Sequence, residues 1–218
     1  MAYLCIGSAI SSLSFFSPTI VAGLGYTDLD AQLYSVPPYA AAYVVTMFAG
    51  WLSDRCKDRG LVAGTAFMVA TVSFIISGTP SKPNSLDSSP FIIIAEADNL
   101  CAVAAIPGEA FQARYALLCI STCGVFGGLP SLLAWVGDNC RTTTAGAIAT
   151  ALNIAFSGPG QIIGVWIFRS QDAPFYRLGH GINAGMSFLA ALCAFSLAVY
   201  YRRLNSKLVG TNEVRWVK

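Results

Sequence analysis

At 218 residues the chain has the length of one ordinary domain, yet only 11% of it is charged, 55% is hydrophobic and the mean hydropathy is +0.61. Soluble domains carry roughly 25% charged residues, so the composition argues against a water-soluble fold and for lipid against the outer surface. A formal net charge of +2 is too small for a nucleic-acid surface, so nucleic acid is not an expected partner and the lipid bilayer is.

Charge-free runs cover 1–27, 31–53, 60–81, 115–137, 142–168 and 181–201. Each exceeds the about 20 residues that a helix needs to cross the hydrocarbon core. Backbone in lipid must satisfy its own hydrogen bonds, so runs of this length predict helices rather than barrel strands. The fold class expected is an all-α integral membrane protein with six transmembrane helices.

The first run starts at Met1 with no basic segment ahead of it and is too long for a signal-peptide core, so no cleavable signal is expected. It holds Ser11, Ser14, Phe15 and Phe16 ahead of Pro18, which frees backbone groups within a span. The second run holds Tyr39 and Tyr43, four apart and therefore on one helix face. It ends at Gly50, where another helix could approach closely.

There follows GWLSDRCKDRG (50–60), in which Asp54, Arg55, Lys57, Asp58 and Arg59 crowd into a very short turn. Asp54 can meet the positive N-terminal end of a neighbouring helix. Arg55, Lys57 and Arg59 can hold the turn at an anionic membrane surface.

Beyond the third run, residues 79–113 break the rhythm. The first half of this segment is rich in Pro, Ser and Asn and reads as loop. Its second half is apolar except for Glu96 and Asp98; a mid-helix acid costs up to roughly 2.5–3.5 kcal/mol, so no seventh span is expected over 91–107. Two readings stand: an external loop with a partly buried turn, or sequence foreign to the fold, such as translated intron. The lack of an Asn-x-Ser/Thr acceptor there favours the second.

In the fifth run Asn153 sits among apolar residues, where it must bond a neighbouring helix or touch substrate, with helix packing the favoured role. The sequence Ser-Gly-Pro-Gly at 157–160 predicts an interruption, with Pro159 as a helix hinge. Arg169, Asp172, Arg177 and His180 read as a solvated loop with local caps. The cysteines form no CxxC pair and read as free thiols. Neither a metal site nor a cofactor nor an enzyme motif is indicated.

Basic residues test the orientation. Arg55, Lys57, Arg59, Arg141, Arg202, Arg203, Lys207, Arg215 and Lys218 fall on one side, and only Lys82, Arg114, Arg169 and Arg177 on the other. The bias predicts a multi-pass protein with both termini, the 50–60 turn and a 206–218 tail in the cytoplasm.

The ordered pattern G-x-L-S-D-R-x-x-x-R-G resembles the loop between the second and third helices of each half of the major facilitator superfamily. FFSPTIVAGLGYTDLDAQLYSVPPYAAAYVVTMFAGWLSDR (15–55) and QIIGVWIFRSQDAPFYRLGHGIN (161–183) resemble the fungal anion:cation symporter family, the allantoate, nicotinate and vitamin permease-like group. The resemblance covers 1–78 and about 114–205, the C-terminal six-helix half of a twelve-helix fold. It implies alternating-access transport of a small organic anion, coupled to protons, in the plasma membrane, with a missing N-terminal six-helix half as partner. It also implies that the first and fourth helices line the cavity and that the second and fifth meet the other half. Candidate substrate-binding residues are then Ser11, Ser14, Phe15, Tyr39, Tyr43 and Asn153, with Gly50, Asp54, Arg55 and Arg59 as the conformational motif. No Asp, Glu, Lys, Arg or His lies within the spans, so charge pairing and coupling would have to come from the other half. The alternative is a truncated, non-transporting membrane protein, or a half-transporter subunit that needs a partner.

Overall fold

The computed structural model describes residues 1–22, 28–78, 111–169 and 176–207, and every element among them is α-helical. In chain order these are α1 (Ala2–Ala22), α2 (Asp28–Leu33), α3 (Val36–Cys56), α4 (Arg59–Gly78), α5 (Phe111–Asp138), α6 (Thr143–Ile167) and α7 (Arg177–Lys207). Local chemistry sets several of the ends. Pro37 and Pro38 open α3 at the first helical positions, where a missing N–H costs nothing. Thr142 caps α6 from extended backbone, its Oγ1 accepting from Ala145 N–H at 3.2 Å. Lys57 closes α3 in the left-handed region (φ 54°) and donates its N–H to the Ser53 carbonyl. The turn to α4 is therefore only Lys57 and Asp58.

The helices are neighbours in the order α3, α5, α4, α7, α1, α6. Phe67 and Phe74 on α4, Val125 on α5 and Ile6 and Leu13 on α1 are fully buried. Against them α7 presents small residues at helical spacing, with Ala184, Ser187, Ala191, Ala194 and Ala198 all buried. Lipid is as apolar as a core side chain, so association in a bilayer rests on such close packing and on polar ties between helices. Ser73 Oγ donates to the Leu117 carbonyl at 2.7 Å, joining α4 to α5. The Tyr115 hydroxyl donates to the Tyr34 carbonyl at 2.8 Å, joining α5 to the entry of α3.

The closest approach is between α1 and α6. A Cβ added at Gly160 would land on the Leu4 carbonyl oxygen, and one at Gly164 on the Ser8 carbonyl oxygen. Glycine lets the two backbones touch there. Between them Ser12 Oγ lies 2.8 Å from the Ser8 carbonyl, 3.1 Å from the Gly164 carbonyl and 3.2 Å from Asn183 Oδ1, tying α1, α6 and α7 at one point.

Four helices among the described residues are long and apolar enough to cross a membrane: α4, the Tyr115–Asp138 part of α5, α6 and α7. The chain is a multi-pass membrane protein. Length and hydropathy give four candidate crossings among the described residues, where the charge-free runs led to an expectation of six. Of the other long helices, α3 is diluted by Pro37, Pro38, Tyr39 and Tyr43.

Three further expectations are corrected. First, α6 runs unbroken through 157–160, with Pro159 inside it on the exposed side. A single lost hydrogen bond is tolerated in a long membrane helix. Second, residues 177–181 are not solvated loop but the first turn of α7. His180 is buried there, 6.2 Å from the Phe74 ring and 5.5 Å from the Phe168 ring. A histidine thus stands within an apolar helix where none was expected. Third, nothing lies within 4 Å of a Cβ built on Gly50, so no described helix approaches it. Most of the 79–113 segment, and the tail from 208 onward, lie outside the described residues.

Candidate functional site

The candidate substrate residues divide into separate environments. Tyr39 on α3 is half-buried, and the Ser14 and Ser17 hydroxyls of α1 neighbour its phenol. Even so, Tyr39 Oη and Ser17 Oγ are buried without a hydrogen-bond partner of good geometry. The Tyr39 ring meets Phe126 of α5 edge-on at 5.9 Å. The resulting hydroxyl cluster sits where α1, α3 and α5 converge. Buried donors left unsatisfied cost about 1–3 kcal/mol each, so the cluster is primed for an acceptor.

Other candidates fall elsewhere. Ser11 is buried and faces Gly164 of α6, with its hydroxyl unpartnered. Phe15 and Tyr43 are exposed, at 65% and 68%, and neither joins the cluster. Tyr43 stands one turn beyond Tyr39 and is exposed, although α5 still covers α3 further along, where Gly127 meets Val45 and Ala49. Asn153 makes no side-chain hydrogen bond. Instead of tying a neighbouring helix, it lines a cavity near the ends of α5 and α7. Ser17 and Phe126 were not singled out from the sequence. Ser17 stands one turn from Ser14 on the same face, a spacing that was readable. Phe126 is one apolar residue among many and gives no such signal.

The charged turn forms a network. Arg59 opens α4, and its guanidinium bridges Asp54 (Nη2–Oδ1, 3.0 Å) and Asp138 at the end of α5 (Nε–Oδ2, 2.8 Å). Arg202 of α7 meets Asp58 at 3.3 Å, and the Arg55 guanidinium lies 5.7 Å over the Trp51 ring. Asp54 therefore meets a side chain, and the carboxylate beside a helix N-terminus is Asp58, directly ahead of α4. Asp138 and Arg202 are the members the sequence reading missed; both stand at the edges of apolar runs, where charge usually marks only the end of a span. The Arg59 side chain is 18% exposed and the Asp54 side chain 69%, so the Asp138 arm is the stronger one. The arrangement clamps α3, α4 and α5 at one end of the bundle.

No family model matches the chain, and no solved structure matches it significantly. Curated proteins do. The chain is 38% identical to the MFS transporter prlL of Fungal sp. (strain NRRL 50135), over 95% of this chain and 37% of that protein. It is 29% identical to the MFS-type transporter cnsO of Penicillium expansum, over 93% of this chain and 35% of the relative. It is 24% identical to the high-affinity nicotinic acid transporter of Saccharomyces cerevisiae, over 89% and 31%. All three are named as transporters rather than as enzymes. The chain spans about a third of the length of the curated relatives it matches, a coverage consistent with the C-terminal half of such a protein. Along nearly its whole length, and on a bundle of membrane-length apolar helices, this chain is homologous to fungal transporters of the major facilitator superfamily.

Proposed function

We propose that the chain supplies the C-terminal six-helix half of a proton-coupled symporter that takes up a small organic anion by alternating access. The observation that carries this reading is the cluster of Ser14, Ser17 and Tyr39 where α1, α3 and α5 converge. Its neutral hydroxyl donors match the oxygens of a carboxylate, and the aromatic pair beside them matches a flat ring. A relative named as a nicotinic acid transporter supports an acid of nicotinate type. In this reading α1 and α3 join the other four helices to give six crossings. The concentration of basic residues around 54–59 and 202–207 supports cytoplasmic termini in a plasma-membrane protein. Pro159 leaves α6 continuous, and in this reading the backbone bond it removes lets the helix bend there. The basic residues described on the long helices lie at or near helix ends, so the charge opposing the anion and the group that carries the proton belong to an N-terminal half.

The partial coverage of the relatives favours a second reading beside the first, a chain that does not transport unless a partner half is present. One experiment separates them. Labelled nicotinate and aliphatic monocarboxylates are offered to cells without their own uptake that express either the chain alone or the chain fused behind the N-terminal half of a relative. Uptake by the fusion alone, with KM raised by Tyr39→Phe, is expected. Uptake by the chain alone overturns the need for a partner half. A folded fusion that moves no acid overturns the anion reading.

A further inference from the structure

Near the end of the bundle that carries the charged turn, α1, α5, α6 and α7 enclose a cavity of about 500 Å³. Tyr3, Trp135 and Tyr201 give it aromatic walls, and Asn153 contributes an amide with no hydrogen bond to a described residue. Tyr3 is 7% exposed, and its phenol oxygen has no hydrogen-bond partner. A buried hydroxyl in that state calls for an acceptor. No charged side chain lines the cavity, and Met1, 87% exposed, stands at its rim with its α-amino group. Two of its walls, Leu192 and Leu197, are 51% and 44% exposed on the outer side of α7, and α7 makes few contacts with α6. The cavity therefore opens sideways between α6 and α7, along an apolar flank that lies within a membrane-length helix.

We propose that this cavity is a lateral binding site for a single uncharged, flat amphiphile drawn from the bilayer, of the sterol class. With no charged side chain in the walls and the only lining charge at the exposed Met1 rim, a charged headgroup seated between the aromatic walls would be unpaired and heavily penalised. The volume takes one compact body rather than a two-chain lipid, and lies in the usual range of small-molecule sites. Aromatic walls favour a rigid planar skeleton, and the Tyr3 phenol and the Asn153 amide offer hydrogen bonds to one hydroxyl. The inference rests on the chain's being a membrane protein and is independent of the anion proposed above. The site is also separate from the Tyr39 cluster, since no residue of that cluster lines it.

The test uses the full chain in lipid nanodiscs with a diazirine-bearing sterol as probe, followed by peptide mapping of the adducts. Adducts are expected on the α5 and α7 walls, at Trp135, Leu192 and Leu197, and unlabelled sterol should compete them away. Leu197→Trp, which fills the mouth, should cut the adduct about tenfold, while Val199→Trp, on the exposed face of α7 outside the cavity, should leave it unchanged. Ser196→Phe replaces Leu197→Trp if that variant fails to elute as a single species. Adducts spread evenly over exposed Val69 and Ile120 and indifferent to the filled mouth would show ordinary boundary lipid and overturn the proposal. A second readout is native: Cys140 and Cys193 are free thiols in the cavity wall, and bound sterol should slow their reaction with maleimide. Protection by nicotinate instead of sterol would make the ligand a water-borne acid, and that too overturns it.

Discussion

Two glycines of α6 that stand two residues apart should respond to the same substitution in opposite directions. At Gly158 a new Cβ meets nothing within 4 Å; at Gly160 it would land on the Leu4 carbonyl oxygen of α1. In a helix interior alanine is favoured over glycine by about 0.8–1.0 kcal/mol, and a Cβ at Gly158 crowds the ring of the following Pro159, so Gly158→Ala should stabilise by at most about that amount. Gly160→Ala makes the same gain and then forces two backbones apart, and overpacking of this kind costs typically about 1–3 kcal/mol. Separation also stretches the nearby Ser12–Gly164 contact at 3.1 Å, a tie worth about 0.5–1.5 kcal/mol. Together these give a net loss of about 1–3 kcal/mol for Gly160→Ala, and about 1–4 kcal/mol between the two variants. For a chain of this size 1 kcal/mol moves the melting temperature by about 2–4 °C. Thermal unfolding of the purified chain in one detergent should therefore place Gly160→Ala at least about 2 °C below Gly158→Ala. Equal melting temperatures would refute the backbone contact between α1 and α6, and with it the account of why α6 carries these glycines.

Removing the hub of the charged turn with Arg59→Gln should lower stability by about 1–2 kcal/mol, whereas Asp54→Asn should cost under about 1 kcal/mol because Asp54 is largely exposed; melting curves of both variants, with Asp138→Asn as the intermediate case, check the order. In a transport-competent fusion, Asp54→Asn should slow turnover with little change in KM, and unchanged uptake would count against a conformational role for the turn. Asn183→Leu removes a fully buried amide bonded to Ser12 and should destabilise by about 1–3 kcal/mol, with Ser12→Ala milder, both read by unfolding. Tyr39→Phe should raise KM several-fold, by the loss of one hydrogen bond of about 0.5–1.5 kcal/mol, while Tyr43→Phe should leave uptake unchanged.

The parts of the fold that depend on composition along one stretch of chain were legible in the sequence. Lipid tolerates few charges, so the apolar runs mapped onto helices, and the pattern at 50–60 gave a turn of only Lys57 and Asp58 between α3 and α4. Contacts between distant stretches were not legible. Nothing local says that Arg59 will meet Asp138, or that Gly160 faces Leu4 while Gly158 faces open space, since both glycines sit in the same apolar sequence. His180 was misread because polar neighbours suggested a loop, whereas the rings of Phe74 and Phe168 make a buried place for it. At the candidate site, helix periodicity put Tyr39 and Tyr43 on one face, but only the positions of α1 and α5 decide that Tyr39 is covered and Tyr43 is not.

The contact between α1 and α6 also bears on how the chain is made. Ser12 and the carbonyl it meets on Gly164 are 152 residues apart, so α1, rich in serine, leaves the ribosome well before α6. At about 5–20 residues per second, α1 waits roughly 8–30 s for the surface that receives it. During that time its hydroxyls must be held by lipid headgroups, by the insertion machinery or by a chaperone. Substitutions along Gly160 and Gly164 should then act first during biogenesis, as premature degradation of a chain in which α1 never finds its seat. In a cell they would register as lost protein before any change in transport could be measured.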